Sequence, residues 1–502
     1  MTLVTDLREA FQRHKRLVAV VDGSYVVTYA ELAERGEDLA QRLIECAPGP
    51  GSPVAGRFPR GLDAIVFTVA AIFAGRPFVH LDPQLSQSQA EAVLDRLDVG
   101  AVVARDGDLL GIHPRLRTGG SQLGPASAGD RPSYFMLTSG TTSVPKCVIG
   151  GESALHHYLQ WQRTEFEHTS EDRFSSMAPP WFDFSFKETL AALFSGASVM
   201  VAADDVLVTG TALADWLQAV EPTVVCLLPS RFAQLLAVSE SGVQGPATWW
   251  RTVRQLLISG EVLRPGLIGR WQEVVTGGPW LTNLYGPTES TVIKLRYRIP
   301  SPYRVTGASV PIGSPIDGAT VELLPLDGAS GQAEICVRSD DLSLGYVDDL
   351  GSGATRFEDV NGERILHTGD LGRRLADGNI EFLGRIDSVI KRRGVAVDLA
   401  GLEAALSSLA GIREVAAVVV TAGSAVKVGL FYSLGPGVPP SSRAVREHLL
   451  GRLEISQMPE VLRALPQLPL TDRGKIDRAN LAGLAGLAGV VDARPGTRPD
   501  QP

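Results

Sequence analysis

The chain has 502 residues, 44% of them apolar, which is enough for a large core and too many for one ordinary domain. Its 47 Lys and Arg stand against 56 Asp and Glu, and the net charge of −9 argues against a protein that binds nucleic acid by neutralising phosphates. The four cysteines have no CxxC spacing, so neither a zinc site nor a disulfide framework is indicated, and no segment reaches the ~18 apolar residues of a membrane span; a soluble, reduced, cytoplasmic protein is the expectation.

The N-terminus, MTLVTDLREAFQRHKRL, has no uninterrupted apolar run of the kind a signal peptide needs. From about residue 60 to 240, short apolar runs rich in β-branched residues, such as AIVFTVAAIFAG (64–75), ASVMVAA (197–203) and TVVCLLP (223–229), alternate with helical patterns. SALHHYLQWQRTEF (153–166) and GTALADWLQAVE (210–221) carry the helical period, and the alternation reads as α/β units around buried sheets. The texture changes near GRIDSVIKRRG (384–394): after Ser388 basic residues outnumber acidic ones, 14 to 10, so the preceding chain carries all of the acidic excess. Beyond it, LAGLEAALSSLAG (399–411) and SSRAVREHLLGRL (441–453) read as helices, and EVAAVVVTA (414–422) and AVKVGLFYSL (425–434) as strands. This predicts a small α+β domain, with a Gly/Ala/Pro-biased tail after about residue 482 that is expected to fray.

Thr138–Lys146 reads TSGTTSVPK, with five hydroxyl side chains, one glycine and one lysine. Hydroxyls and backbone N–H groups donate to phosphate oxygens and the lysine adds charge, so the loop suits the phosphates of ATP; standing alone it would serve equally as a polar linker. It is not a Walker loop, because GxxxxGK[ST] is absent. Four further stretches follow in order: NLYGPTES (283–290), HTGDL (367–371), GRIDSVIKRRG, and DRGKIDR (472–478). Together with VTYAEL (27–32) and AGRPFVHLDP (74–83), the set resembles the core motifs of the adenylate-forming superfamily over nearly the whole chain, in particular the amino-acid adenylation domains of nonribosomal peptide synthesis.

The resemblance implies an α/β fold, with a large N-terminal domain (residues 1–386) of two packed α/β sheets plus a β-barrel. A small mobile α+β C-terminal domain (residues 387–502) would follow, with its hinge near Asp387. It also implies a reaction in two halves: ATP activates a carboxylate as an acyl-adenylate with release of pyrophosphate, and the acyl group then passes to a thiol. By the same resemblance, Thr138, Ser139, Gly140, Thr141, Thr142 and Lys146 hold the β- and γ-phosphates, although Ser143 and Cys147 stand where the family usually has glycine. Asn283 and Tyr285 would take adenine, Thr288 the α-phosphate, Glu289 the Mg2+, and Asp370 the ribose hydroxyls with Arg385 nearby. Tyr-Gly-Pro and Gly-Asp are also ordinary turns, and Tyr285 would serve as a core residue in one. Lys475 is the candidate catalytic residue: substrate carboxylate and α-phosphate are both anionic, so their union needs a bridging cation.

The stretch WFDFSFKETL (181–190) bears on which carboxylate is activated. Asp183 matches the family aspartate that pairs with a substrate ammonium, while Ser185 with Glu188 three residues later also reads as a helix-starting capping box. Carrying the family's pocket positions across gives Asp183, Phe184, Lys187, Cys226, Leu257, Ser259, Leu284, Val292 and Ile293, mostly apolar and suited to a small or medium side chain. Lys187 has two readings, inward to pair with an acidic side chain or outward along the helix face. Only 24 residues follow Arg478, too few for a carrier domain. The expectation is therefore a freestanding ligase that loads the phosphopantetheine of a separate carrier protein, with or without a small activator protein. No nucleic acid or membrane partner is expected. The rivals are an acyl- or aryl-CoA ligase using free CoA, and a member that binds a nucleotide or a partner without catalysis.

Overall fold

The computed structural model describes residues 2–46, 51–107, 109–115, 130–138, 146–241, 249–275, 277–326, 333–347, 356–386, 389–392, 395–422, 425–435, 439–453, 457–471 and 475–487. The chain divides into two compact units, Met1–Phe382 and Leu383–Pro502. Among the described residues no helix is long and apolar enough to cross a membrane.

The first unit is built on three sheets. A nine-stranded sheet has a parallel centre in which Val224–Leu227, Gln255–Ser259 and Trp280–Tyr285 lie side by side, with the antiparallel strands Leu295–Arg298 and Ser314–Pro315 on one edge. A seven-stranded sheet carries Pro132–Thr138 paired antiparallel with Lys146–Gly151. A five-stranded antiparallel sheet stands where the β-barrel was expected and contains Ala333–Ser339, Phe357–Val360 and Glu363–Arg374.

Period-two alternation sorts the strands of the large sheet between two cores. Val224, Cys226, Leu257 and Leu284 pack on one face with Phe184, Val292 and Ile293. Val225, Leu227, Leu256, Ile258 and Leu281 pack on the other.

Most of the patterns fold as their period predicts: residues 153–166 and 210–221 supply the helices Glu152–Glu165 and Gly210–Val220, and residues 197–203 and 223–229 the strands Ser198–Val201 and Val224–Leu227. One does not. The apolar run at 64–75, grouped with the strands, lies mostly in the helix Leu62–Phe73, in which every residue but Asp63 is buried. A helix buried all round loses the polar stripe that identifies it, and only its length remains as a signal.

In the second unit the helices Leu399–Ser407 and Ser442–Leu450 pack on strands Ile412–Ala422 and Ala425–Leu434, with Val461–Leu465 parallel to the latter. The helix Arg478–Leu487 extends into the stretch expected to fray after about residue 482. Its Leu481 and Ala485 are buried against Val418 and Phe431, and that burial offsets the poor helix propensity of its glycines.

Candidate active site

The pocket positions taken from the sequence lie at the carboxyl ends of the parallel strands, where open α/β sheets bind ligands. Cys226 is level with Leu257, and Ser259 with Leu284, so all four face the same side. Asp183, Phe184 and Lys187 close that side from the short helix Phe184–Glu188, and all three are buried. The capping box read in the sequence does not form. Asp183 takes the N-cap position without capping through its side chain, Ser185 lies inside the helix, and Glu188 turns away to accept the backbone N–H groups of Met177 and Ala178 at 2.9 and 2.8 Å. Burial pushes the Glu188 carboxyl up to about 7 against the pull of those hydrogen bonds and of the Arg60 and Lys187 charges.

The Lys187 side chain does not run outward to solvent. It is 2% exposed, its ammonium donates to the Ser259 hydroxyl, and it lies 3.5 Å over the Phe184 ring. Burial also raises the Cys226 thiol far above its ordinary range, so the sulfur serves as a small apolar wall. Thr291 and Val292 have φ of 61° and 66°. Left-handed backbone at β-branched residues costs about 1–3 kcal/mol each and gathers where a binding site dictates the chain path.

The opposite face of the strand Trp280–Tyr285 carries the nucleotide candidates, because Asn283 and Tyr285 alternate with Leu284. The Asn283 amide donates to the carbonyls of Val310 and Pro311 at 3.3 and 2.9 Å. The Tyr285 hydroxyl donates to Asp370 at 2.5 Å. Asp370 is aimed there by an irregularity in the sheet: Cys336 pairs with His367 and Glu334 with Leu371, so Thr368, Gly369 and Asp370 bulge out of the ladder opposite Ile335. Gly369 has a φ of 70°, which only glycine adopts freely, and the Thr368 hydroxyl donates to the Ile335 carbonyl.

Two residues that the sequence reading missed tie the remaining candidates together. Tyr346 donates to Glu289 at 2.5 Å, and Lys146 lies 5.4 Å from the centre of the Tyr346 ring. Arg356 reaches Glu289 at 3.4 Å and the Thr368 carbonyl at 3.3 Å. Tyr346 thus links Lys146 to Glu289, and Arg356 links Glu289 to Thr368, whose hydroxyl accepts the Asp370 N–H at 3.0 Å; Thr288 opens the short turn that carries Glu289. Nothing in the local sequence marks Tyr346 or Arg356, because neither stands in a motif.

Thr138 pairs with Lys146 across the mouth of the hydroxyl-rich loop, and Ser139, Gly140, Thr141 and Thr142 lie outside the described residues, as does Asp387. Arg385 and Lys475 belong to the second unit. Lys475 is tied to Thr471: its N–H donates to the Thr471 hydroxyl at 3.2 Å and its carbonyl accepts from the Thr471 N–H at 2.7 Å.

The sequence profile of the family described as AMP-binding enzyme matches residues 7–347. The chain belongs to that family. This AMP-binding enzyme is 31% identical over 493 residues to an isonitrile lipopeptide synthase of Streptomyces coeruleorubidus, a match covering 95% of this chain and 33% of that one. It is 28% identical over 487 residues to zwittermicin A synthase ZmaJ of Bacillus cereus, covering 93% and 91%. Among solved structures it is similar to IdnL7, with a TM-score of 0.79, 24% identity and coverage of 97% and 99%. Klebsiella oxytoca NpsA in complex with 3-hydroxyanthranilyl-AMSN is equally similar, with a TM-score of 0.79, 22% identity and coverage of 96% and 99%. At these identities the structural likeness carries the fold alone. The AMP-binding enzyme thus spans about a third of one relative and nearly the whole of another.

Proposed function

We propose that this chain activates an amino acid with ATP to an aminoacyl-adenylate, and then passes the aminoacyl group to the phosphopantetheine thiol of a carrier protein. The observation that carries the reading is Asp183, a carboxylate 8% exposed at the start of a helix that packs on the face of Cys226, Leu257 and Leu284. A buried carboxylate favours a cationic group beside it, and the ammonium of an amino acid is one. The inward ammonium of Lys187 adds that the substrate side chain ends in an acceptor or an anion.

Adenine would lie against Tyr285 with its amino edge at Asn283, the ribose hydroxyls at Asp370, the α-phosphate at Thr288, and the outer phosphates along the loop from Thr138 to Lys146. The donor set fits a magnesium nucleotide: Glu289 supplies one carboxylate with Arg356 3.4 Å away and Lys146 over the ring of its partner Tyr346, and magnesium is commonly held by one or two carboxylates plus phosphate oxygens. When bound, Mg2+ neutralises phosphate charge. Lys475 is proposed to bridge substrate carboxylate and α-phosphate in the first half-reaction and to leave in the second, as the small domain turns about Asp387.

A pyrophosphate-exchange panel tests the reading. It should contain apolar, acidic and β-amino acids beside aryl acids, because the similar NpsA was solved with an aryl adenylate analogue. Exchange with amino acids that Asp183→Ala abolishes is the expected result; exchange with aryl acids alone, unchanged in Asp183→Ala, would turn the assignment to an aryl-CoA ligase. Lys475→Ala should slow adenylate formation about 10²–10³-fold, the scale of a lost transition-state donor. It should leave transfer from a supplied aminoacyl-adenylate to carrier thiol intact.

A further inference from the structure

Outside the pocket and the nucleotide contacts, the sheet of the first unit gathers one sulfur, one imidazole and one carboxylate. Cys336 and His367 are directly opposed across strands Ala333–Ser339 and Glu363–Arg374, and the bulge that carries Asp370 lets Glu334 reach the same point. The donor atoms of Glu334, Cys336 and His367 all lie within 4.8 Å of one another. Cys336 Sγ is 3.5 Å from His367 Nδ1, and His367 Nδ1 is 3.2 Å from Glu334 Oε2.

The sulfur–nitrogen and nitrogen–oxygen separations match those of a tetrahedral metal centre. With bonds of about 2.3 Å to sulfur and about 2.0 Å to nitrogen and oxygen, tetrahedral geometry places S and N about 3.5 Å apart and N and O about 3.3 Å apart. The surroundings are of the kind that orients such ligands. His367 stands between two carboxylates, Nε2 3.1 Å from Glu358 Oε2 and Nδ1 3.2 Å from Glu334 Oε2; a metal on Nδ1 takes the place of the proton shared with Glu334, while Glu358 keeps the Nε2–H and the ring orientation. The other oxygen of Glu334 accepts the Gly369 N–H at 2.8 Å, which holds its partner oxygen in place.

We propose that Glu334, Cys336 and His367 form a binding site for a divalent transition metal of the zinc class, with solvent in the fourth position on the partly exposed side of His367. The bound ion displaces the Cys336 thiol proton and the Nδ1 proton of His367 to solvent and ties the two strands together at the bulge that presents Asp370. Sequence spacing did not indicate the site, because a single cysteine and a histidine 31 positions away make no motif. The site stands independently of the amino-acid assignment, since its readout is metal rather than turnover.

The test uses the full chain, stripped by chelation and titrated with cobalt(II). The expected result is one cobalt per chain with a near-ultraviolet sulfur-to-cobalt charge-transfer band, displaced by zinc. Cys336→Ser should abolish the band, His367→Gln should weaken binding at least about tenfold, and Glu358→Gln should weaken it about 10–100-fold. Cys46→Ser, at an exposed thiol elsewhere, should change nothing. Absence of the band in the wild-type chain at micromolar cobalt, or a band that survives Cys336→Ser, would overturn the proposal. Should Cys336→Ser fail to fold by circular dichroism, the wild-type titration and His367→Gln still decide it.

Discussion

Lys187 and Lys294 are both buried, and they differ in their surroundings. Lys187 has a hydroxyl and an aromatic face within the candidate pocket, where a substrate acceptor would meet it. Replacing it with Met should therefore shift preference, read as a ratio of kcat/KM, by at least about tenfold from an acceptor-bearing amino acid toward an apolar one of similar length. Lys294 is fully buried with no hydrogen-bond partner for its ammonium among the described residues, and burial lowers its pKa from 10.5 to about 8, Asp341 pulling the other way. The unfolded chain holds that proton more tightly, so stability is lost as pH falls through about 8 and regained toward 10.5. Lys294→Met should accordingly raise the melting temperature at pH 7, by up to about 2–3 kcal/mol of stability, with the gain shrinking between pH 8 and 10.5.

At the scale of elements, the turn after Trp280–Tyr285 controls two faces at once. Gly286 packs so closely beneath the strained segment that an added Cβ would lie 2.5 Å from the Val292 carbonyl oxygen and 2.7 Å from Ile293 Cα. Both are backbone atoms and cannot rotate aside. Gly286→Ala should cost at least about 1–3 kcal/mol in thermal unfolding and raise the KM for the amino acid, because Val292 and Ile293 line the candidate pocket. A melting temperature unchanged from wild type would show that the turn is looser than its contacts imply. The bulge at Thr368–Asp370 acts on a similar principle: a departure from the ladder turns one carboxylate toward Tyr285.

At the scale of the molecule, each compact unit has cores of its own. In the second, Val397, Leu402, Leu430 and Leu449 form one cluster and Val418, Phe431 and Leu481 another, on the two faces of its three-stranded sheet. Residues 383–502 expressed alone should therefore give a cooperative thermal transition by circular dichroism; a broad, non-cooperative melt would mean that this segment needs the rest of the chain to fold.

Amphipathic helices, β-branched runs and turn residues were legible because each is written within a few consecutive positions, and the ordered motifs brought the family into view for the same reason. The helix Leu62–Phe73, buried but for Asp63, was not, since burial on nearly every side erases the periodic signal. The direction of Lys187, the link from Lys146 through Tyr346 to Glu289, the exit of Asp370 from its ladder, and the meeting of Glu334, Cys336 and His367 were decided only by tertiary structure. Each depends on which strand lies beside which and in what register. That is settled by burial summed over the whole chain, and no short window of sequence contains it.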